Sequence, residues 1–270
     1  MTQNFLTSTG HIIKSAHRRA SIGAVNPRSG ASAISAARAR LTAAAEKRET
    51  TAGYYGSGRL PEEIICSSST KQRFDCVVTR NHYGCLVLNA AHTLFIDVDV
   101  LSSPGSDRLM PKGRSRKAPW QRVLDDLRVV LANERREGFR IYRTAAGYRI
   151  LATTHEFEPG SEQANRLMNA VGADAAFVDL CRIQNSFRAR LTPKPWRCRI
   201  TRPPNAFPRH STEESRRFED WLARYERACR HRATCLYVGH VGPADVHKRI
   251  APIIEFHDRE TKALESLQLA

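Results

Sequence analysis

What the 270-residue chain lacks narrows its class before any motif is read. No apolar run approaches the ~20 residues that a membrane-spanning helix needs. The first residues hold no signal-peptide hydrophobic segment, so a cytoplasmic protein without a membrane partner is expected. Seven cysteines, at 66, 76, 85, 181, 198, 229 and 235, form an odd set with no Cys-x-x-Cys pair. Most lie in apolar stretches such as Phe74-Asp75-Cys76-Val77-Val78, the setting of reduced core thiols rather than of a disulfide framework. Cys229, His231 and Cys235 are close in sequence, but their spacing fits no common zinc finger. The 10 histidines never take His-Glu-x-x-His spacing, and no Gly-x-Ser-x-Gly, P-loop or internal repeat is present.

Acidic residues are the other scarcity. Against 43 Lys and Arg stand 27 Asp and Glu, a formal net charge of +16. A positive surface potential favours polyanions: nucleic acid first, nucleotides second, acidic membrane third. The excess is densest at the start, where residues 1–60 carry nine Lys/Arg against Glu46 and Glu49. With the Ser/Ala/Gly-rich Ser29-Gly30-Ala31-Ser32-Ala33, this reads residues 1–57 as a disordered basic arm. Within it, 36–47 could form a short basic helix on an anion. The composition also matches an organelle transit peptide, but the basic arm is the reading kept.

An ordered α/β domain is expected over 58–270, with 41% hydrophobic residues to supply its core. Runs at 74–79 and 84–88, separated by Arg80-Asn81-His82-Tyr83, read as a hairpin, and 93–100 as the third strand of a meander. A loop over 101–117 leads to Trp120, Val123, Leu124, Leu127, Val130 and Leu131 at helical spacing. A second hairpin spans 139–144 and 148–154, its Gly147 suited to a positive-φ turn position. Then come a helix at 161–171, a short helix or strand at 175–184 and an Arg-, Lys- and Pro-rich segment at 186–196. A helix follows, capped by Ser211 and Glu214 and carrying Phe218, Trp221, Leu222 and Tyr225 on one face. A late strand at 235–238 and a terminal helix at 250–264 close the chain.

In Leu94-Phe95-Ile96-Asp97-Val98-Asp99-Val100 the period of two sends Asp97 and Asp99 to one face and Ile96, Val98 and Val100 to the other. Two adjacent carboxylates resist joint ionisation unless a cation neutralises them or water reaches both. Mg²⁺ or Mn²⁺ shared with phosphate oxygens is the usual resolution in nucleotidyl transfer. An exposed polar sheet face is the plain alternative. Arg143-Thr144-Ala145-Ala146-Gly147-Tyr148-Arg149 offers a small-residue turn that could bring backbone N–H groups to phosphate between two arginines. Phe177-Val178-Asp179-Leu180 adds a third acid, followed by Arg188, Arg190 and Lys194 as phosphate ligands. If 179 is helical, Asp179 pairs instead with Arg182 or Arg143. Trp196, between Pro195 and Arg197, could stack on a base or anchor a core. His82 reads as a surface turn residue.

Together these segments, over roughly 74–199, resemble the three-motif layout of the archaeo-eukaryotic primase superfamily, which includes primase-polymerases. The resemblance implies an α+β fold with an RRM-like mixed or antiparallel sheet and packed helices. It implies two-metal nucleotidyl transfer, with Asp97, Asp99 and Asp179 holding Mg²⁺ or Mn²⁺. Arg143, Thr144, Gly147, Arg149, Arg188, Arg190 and Lys194 would then bind nucleoside triphosphate or a DNA or RNA template. The sequence departs from the family at its second motif, where Arg149 stands near the place of a histidine. Arg binds phosphate but shuttles no proton, and His155 alternates out of register with it. Three functions stay open: a replicative nucleotidyltransferase, a non-catalytic nucleic-acid-binding protein of a plasmid or mobile element, and a metal-dependent nuclease.

Overall fold

The computed structural model describes residues 62–67, 76–100, 118–173 and 175–270. The proposed basic arm over 1–57 and the loop at 101–117 lie outside them. Along the chain run β1 (Glu63–Ser67), β2 (Cys76–Arg80), β3 (Leu86–Ala90), β4 (Phe95–Asp99) and α1 (Pro119–Ala132). Next come β5 (Phe139–Thr144), β6 (Gly147–Ala152), α2 (Glu162–Ala170), α3 (Ala175–Gln184) and β7 (Phe187–Arg190). A 3₁₀ turn (Pro195–Cys198), α4 (Thr212–Cys229), β8 (Arg232–Ala233), β9 (Cys235–Val241), α5 (Ala251–Thr261) and β10 (Gln268–Leu269) complete it. The fold is mixed α+β, and no helix among the described residues is long and apolar enough to cross a membrane.

Two four-stranded antiparallel sheets carry the architecture, in the orders β1-β2-β3-β7 and β4-β6-β5-β9. β8 and β10 add a short parallel pair. The expected meander therefore breaks after β3. Its free edge is taken by β7, from Val87 opposite Arg190 to Ala90 opposite Phe187, so β4 has no edge to join there and pairs with β6 instead. β3 is buried at all five positions, as a central strand covered on both faces must be. One core draws Val78, Leu86 and Leu88 from the first sheet and Phe95, Ile96, Ile141 and Ile150 from the second.

Local chemistry sets the helix ends. Ser161 Oγ accepts from Ala164 N at the start of α2, and Ser211 Oγ from Glu214 N at the start of α4. The Glu214 carboxylate reaches one residue further back than a capping box requires, accepting from His210 N at 2.7 Å. α4 buries Phe218, Trp221, Leu222 and Tyr225, the stripe its sequence period announces.

Gly147 does not adopt a positive φ. A Cβ there would lie 1.9 Å from the Val98 carbonyl oxygen on the neighbouring strand, so glycine is required for close approach of β6 to β4 rather than for turn geometry.

Candidate nucleic-acid interface

The strand alternation of β4 holds: Ile96 and Val98 are buried, Asp97 is partly exposed and Asp99 is exposed. The face bearing the aspartates is not open along its length. Asp97 sits opposite Arg149 on β6, Arg149 opposite Tyr142 on β5, and Tyr142 opposite Tyr237 on β9, forming one row across the sheet. α5 lies against this row, with the His257 ring 5.3 Å from Phe95 and 4.8 Å from Tyr142.

Within the row, Arg149 grips Asp97 with two parallel bonds, Nε to Oδ1 at 2.7 Å and Nη2 to Oδ2 at 3.0 Å. Its Nη1 donates to the Arg190 carbonyl at 2.8 Å and faces His257 Nε2 at 3.4 Å. Burial alone would raise the Asp97 pKa, but the attraction and hydrogen bonds of Arg149 outweigh it and hold the carboxyl below its usual range. His257 Nδ1 donates to Asp258, which also accepts from Arg140, and Arg140 donates to the Tyr142 hydroxyl. Asp97 thus belongs to a satisfied network of buried polar groups.

The other proposed ligands are spread apart. Asp179 is exposed on α3 and pairs with Arg182 at 3.2 Å, one turn along the helix. Cys181 is the α3 residue that faces the buried side near Asp97, and Asp179, two positions back, points about 200° away. Among the described residues no group of three or more His, Cys, Asp or Glu side chains is placed to hold a metal ion. With both Asp97 oxygens on Arg149 and Asp179 on Arg182, the described residues do not fit a two-metal carboxylate site.

The β5–β6 hairpin also differs from a phosphate clamp. Arg143 pairs with Tyr148 and Arg149 with Tyr142, so the two arginines emerge on opposite sheet faces. Arg143 lies 4.6 Å over the Trp120 ring on the α1 side. Thr144 Oγ1 accepts from Ala146 N and Gly147 N, which turns the hairpin amides inward. Arg188 is buried against Glu62 and Gln184.

The remaining two, Arg190 and Lys194, lie within electrostatic reach of each other and of Arg197 and Asp99. Lys194 and Arg197 both have lowered pKa values, first through burial and then through the charge of Arg190, while Asp99 opposes the shift in each. Three cations thus share a partly buried patch with one carboxylate. Beside it Trp196, 43% exposed, meets Tyr83 edge to face with ring centroids 5.2 Å apart. Lys194 Nζ lies 5.4 Å from the Trp196 ring, and the Arg202 guanidinium 5.4 Å from Tyr83 and 5.6 Å from Trp196.

α4 supports both aromatic residues from below. Tyr83 is held in the β2–β3 turn by Asn81, whose Oδ1 accepts from Tyr83 N and Cys85 N. At Gly84, with φ +79°, a Cβ would stand 2.2 Å from the Trp221 ring. Trp196 rides the 3₁₀ turn, anchored by the Tyr225 hydroxyl donating to Pro193 O at 2.5 Å and closed by Ile200 N on Pro195 O. Arg202 borders a groove of about 620 Å³ with Arg217, Arg224 and Arg227, and Arg197 borders one of about 360 Å³ with Arg199 and Arg232.

Of the residues gathered here, the sequence singles out Trp196, Arg190 and Lys194 as candidate ligands but not Tyr83 or Arg202. An aromatic inside a hairpin turn, where a polar residue is the usual choice, was the available signal for Tyr83. The chain matches no protein-family model, no curated protein and no solved structure, so the site stands on its own geometry.

Proposed function

We propose that this chain is a non-catalytic nucleic-acid-binding protein that holds single-stranded DNA or RNA on the Tyr83–Trp196 platform. The observation that carries this reading is an exposed Trp196 in edge-to-face contact with a half-buried Tyr83, with Lys194 and Arg202 over the rings and Arg190 and Arg197 within electrostatic reach. Bases stack on exposed aromatic faces whatever their sequence, and cations beside them take the phosphates. The arginine-lined grooves that Arg202 and Arg197 border offer further cations for the phosphates of a strand held there. The strong net positive charge adds long-range attraction.

Binding fits the geometry better than metal-dependent nucleotidyl transfer or strand cutting, because Asp97 is engaged by Arg149 and Asp179 by Arg182. The test is titration of a labelled single-stranded oligonucleotide and a duplex of equal length. Trp196→Ala and Tyr83→Ala should each weaken single-strand binding by about 1–3 kcal/mol. Duplex binding should change much less. If both variants bind the single strand like wild type, the platform is not the site; nucleotide incorporation with Mn²⁺ would restore the polymerase reading.

A further inference from the structure

Cys198 and Cys229 stand apart from the other described cysteines. Their sulfur atoms lie 3.9 Å apart, across 31 positions of sequence, with Cys198 on the 3₁₀ turn and Cys229 at the last position of α4. Cys229 is partly exposed, whereas Cys76, Cys85, Cys181 and Cys235 are buried. We propose that Cys198 and Cys229 form an oxidisable dithiol that a peroxide converts to a disulfide, tying the turn that carries Trp196 to the end of α4.

A disulfide needs the sulfurs, now 3.9 Å apart, to close to about 2 Å. The local charge favours the reaction. Either thiol can donate to the other across this contact; the bond to Cys229, with Arg232 and Lys262 nearby, holds the Cys198 thiol below its ordinary pKa despite burial. Lys262 is fixed there by donating to the Cys229 and Arg230 carbonyls at 2.9 and 2.5 Å. Cys229 is raised, by its bond to Cys198 and by burial, so Cys198 is the thiolate of the pair; burial pushes Cys181 up to about 12 and Cys235 up to about 11, and raises Cys85, with no lowered thiol beside them.

The steps balance as follows. The Cys198 thiolate attacks one peroxide oxygen, the O–O bond breaks, and hydroxide leaves, giving a sulfenic acid at Cys198. The Cys229 sulfur then attacks the Cys198 sulfur and loses its proton as water departs, so two thiols are oxidised and one peroxide is reduced to two waters.

The native full-length chain is treated with hydrogen peroxide, quenched, alkylated with N-ethylmaleimide and mapped by mass spectrometry, with the chain unfolded in guanidinium as comparison. Expected is a linked peptide pair joining Cys198 and Cys229, lighter by two hydrogens, removed by dithiothreitol and dominant only in the native sample. Cys229→Ser should leave Cys198 as a sulfenic acid that dimedone traps. The proposal is overturned if both residues remain alkylated in the native chain, if Cys198 pairs with another cysteine, or if the native and unfolded samples give the same mixture of links. The wild-type map does not depend on that variant folding.

Discussion

Asp97 and Arg149 face each other across adjacent antiparallel strands and are joined by two parallel hydrogen bonds, with Arg149 only 2% exposed and Asp97 29%. Removing one partner of such a pair strands the other, and the cost is typically about 3–5 kcal/mol. Asp97→Ala should therefore lower unfolding stability in urea by about 3 kcal/mol, the low end, because water can reach the Asp97 side. Asp99→Asn, on an exposed side chain, should stay within about 0.5 kcal/mol. Equal effects at the two positions would contradict the division between a structural Asp97 and a surface Asp99.

His257 is fully buried, and burial lowers its pKa more than the neighbouring Asp258 raises it; Arg149 adds to the lowering. With its folded pKa below the unfolded value near 6.5, the unfolded chain takes up the proton first as pH falls. Stability is thus full above about pH 6.5 and declines below it, by at most ~1.4 kcal/mol per pH unit from this residue. Asp97, with its lowered pKa, adds a further loss at more acid pH, as it too becomes protonated. His257→Gln keeps a donor and an acceptor without titrating. Thermal unfolding from pH 7 to 5 should show a shallower fall for this variant; parallel curves would remove His257 as the responsive group.

Much of the local structure was legible in the sequence, because it follows from short-range rules. The alternation in 94–100, the helical spacing from Trp120 to Leu131 and the Ser211 cap all appear where their periods and residue types place them. What could not be read was pairing at a distance. Nothing in the order of β2, β3 and β4 says that β7 occupies the edge of β3, and that long-range choice sends β4 to the second sheet. The same gap hid the partners of the charges. Arg149 reads in the sequence as a phosphate ligand, and nothing in its local pattern says that Asp97 is its cross-strand neighbour. Tyr83 and Trp196, more than a hundred positions apart, are brought together by the pairing of β3 with β7 and by the packing of α4.

Gly147 offers a sharp test of the β4–β6 contact. A methyl group there would sit 1.9 Å from Val98 O and 2.9 Å from Asp99 Cα, both on the backbone, so no side chain can rotate away to make room. Overpacking of this kind costs about 1–3 kcal/mol when neighbours can shift and more when they cannot. Gly147→Ala should lose at least 2 kcal/mol in urea unfolding, by ~1–3 kcal/mol reasoning from overpacked cores. Gly172→Ala is a useful contrast, since a Cβ there meets nothing within 4 Å and only its φ of +74° is strained.

Salt dependence separates the two halves of the proposed interface. Each phosphate neutralised on a single strand contributes about −0.7 to the slope of log K against log salt concentration, because condensed counterions are released. Lys194 and Arg197 sit beside Arg190, opposed by the carboxylate of Asp99. If each contacts one phosphate, Lys194→Gln/Arg197→Gln should reduce the slope by ~1.4. Trp196→Ala should instead lower affinity at every salt concentration and leave the slope nearly unchanged, because stacking releases no counterion. Lys194 also lies over the Trp196 ring, so losing it could weaken stacking as well as phosphate contact. The slope isolates the charge contribution from that packing loss. An unchanged slope in the double variant, with affinity reduced, would mean that these cations orient the platform and the phosphates run elsewhere, with the Arg217, Arg224 and Arg227 groove the next surface to mutate.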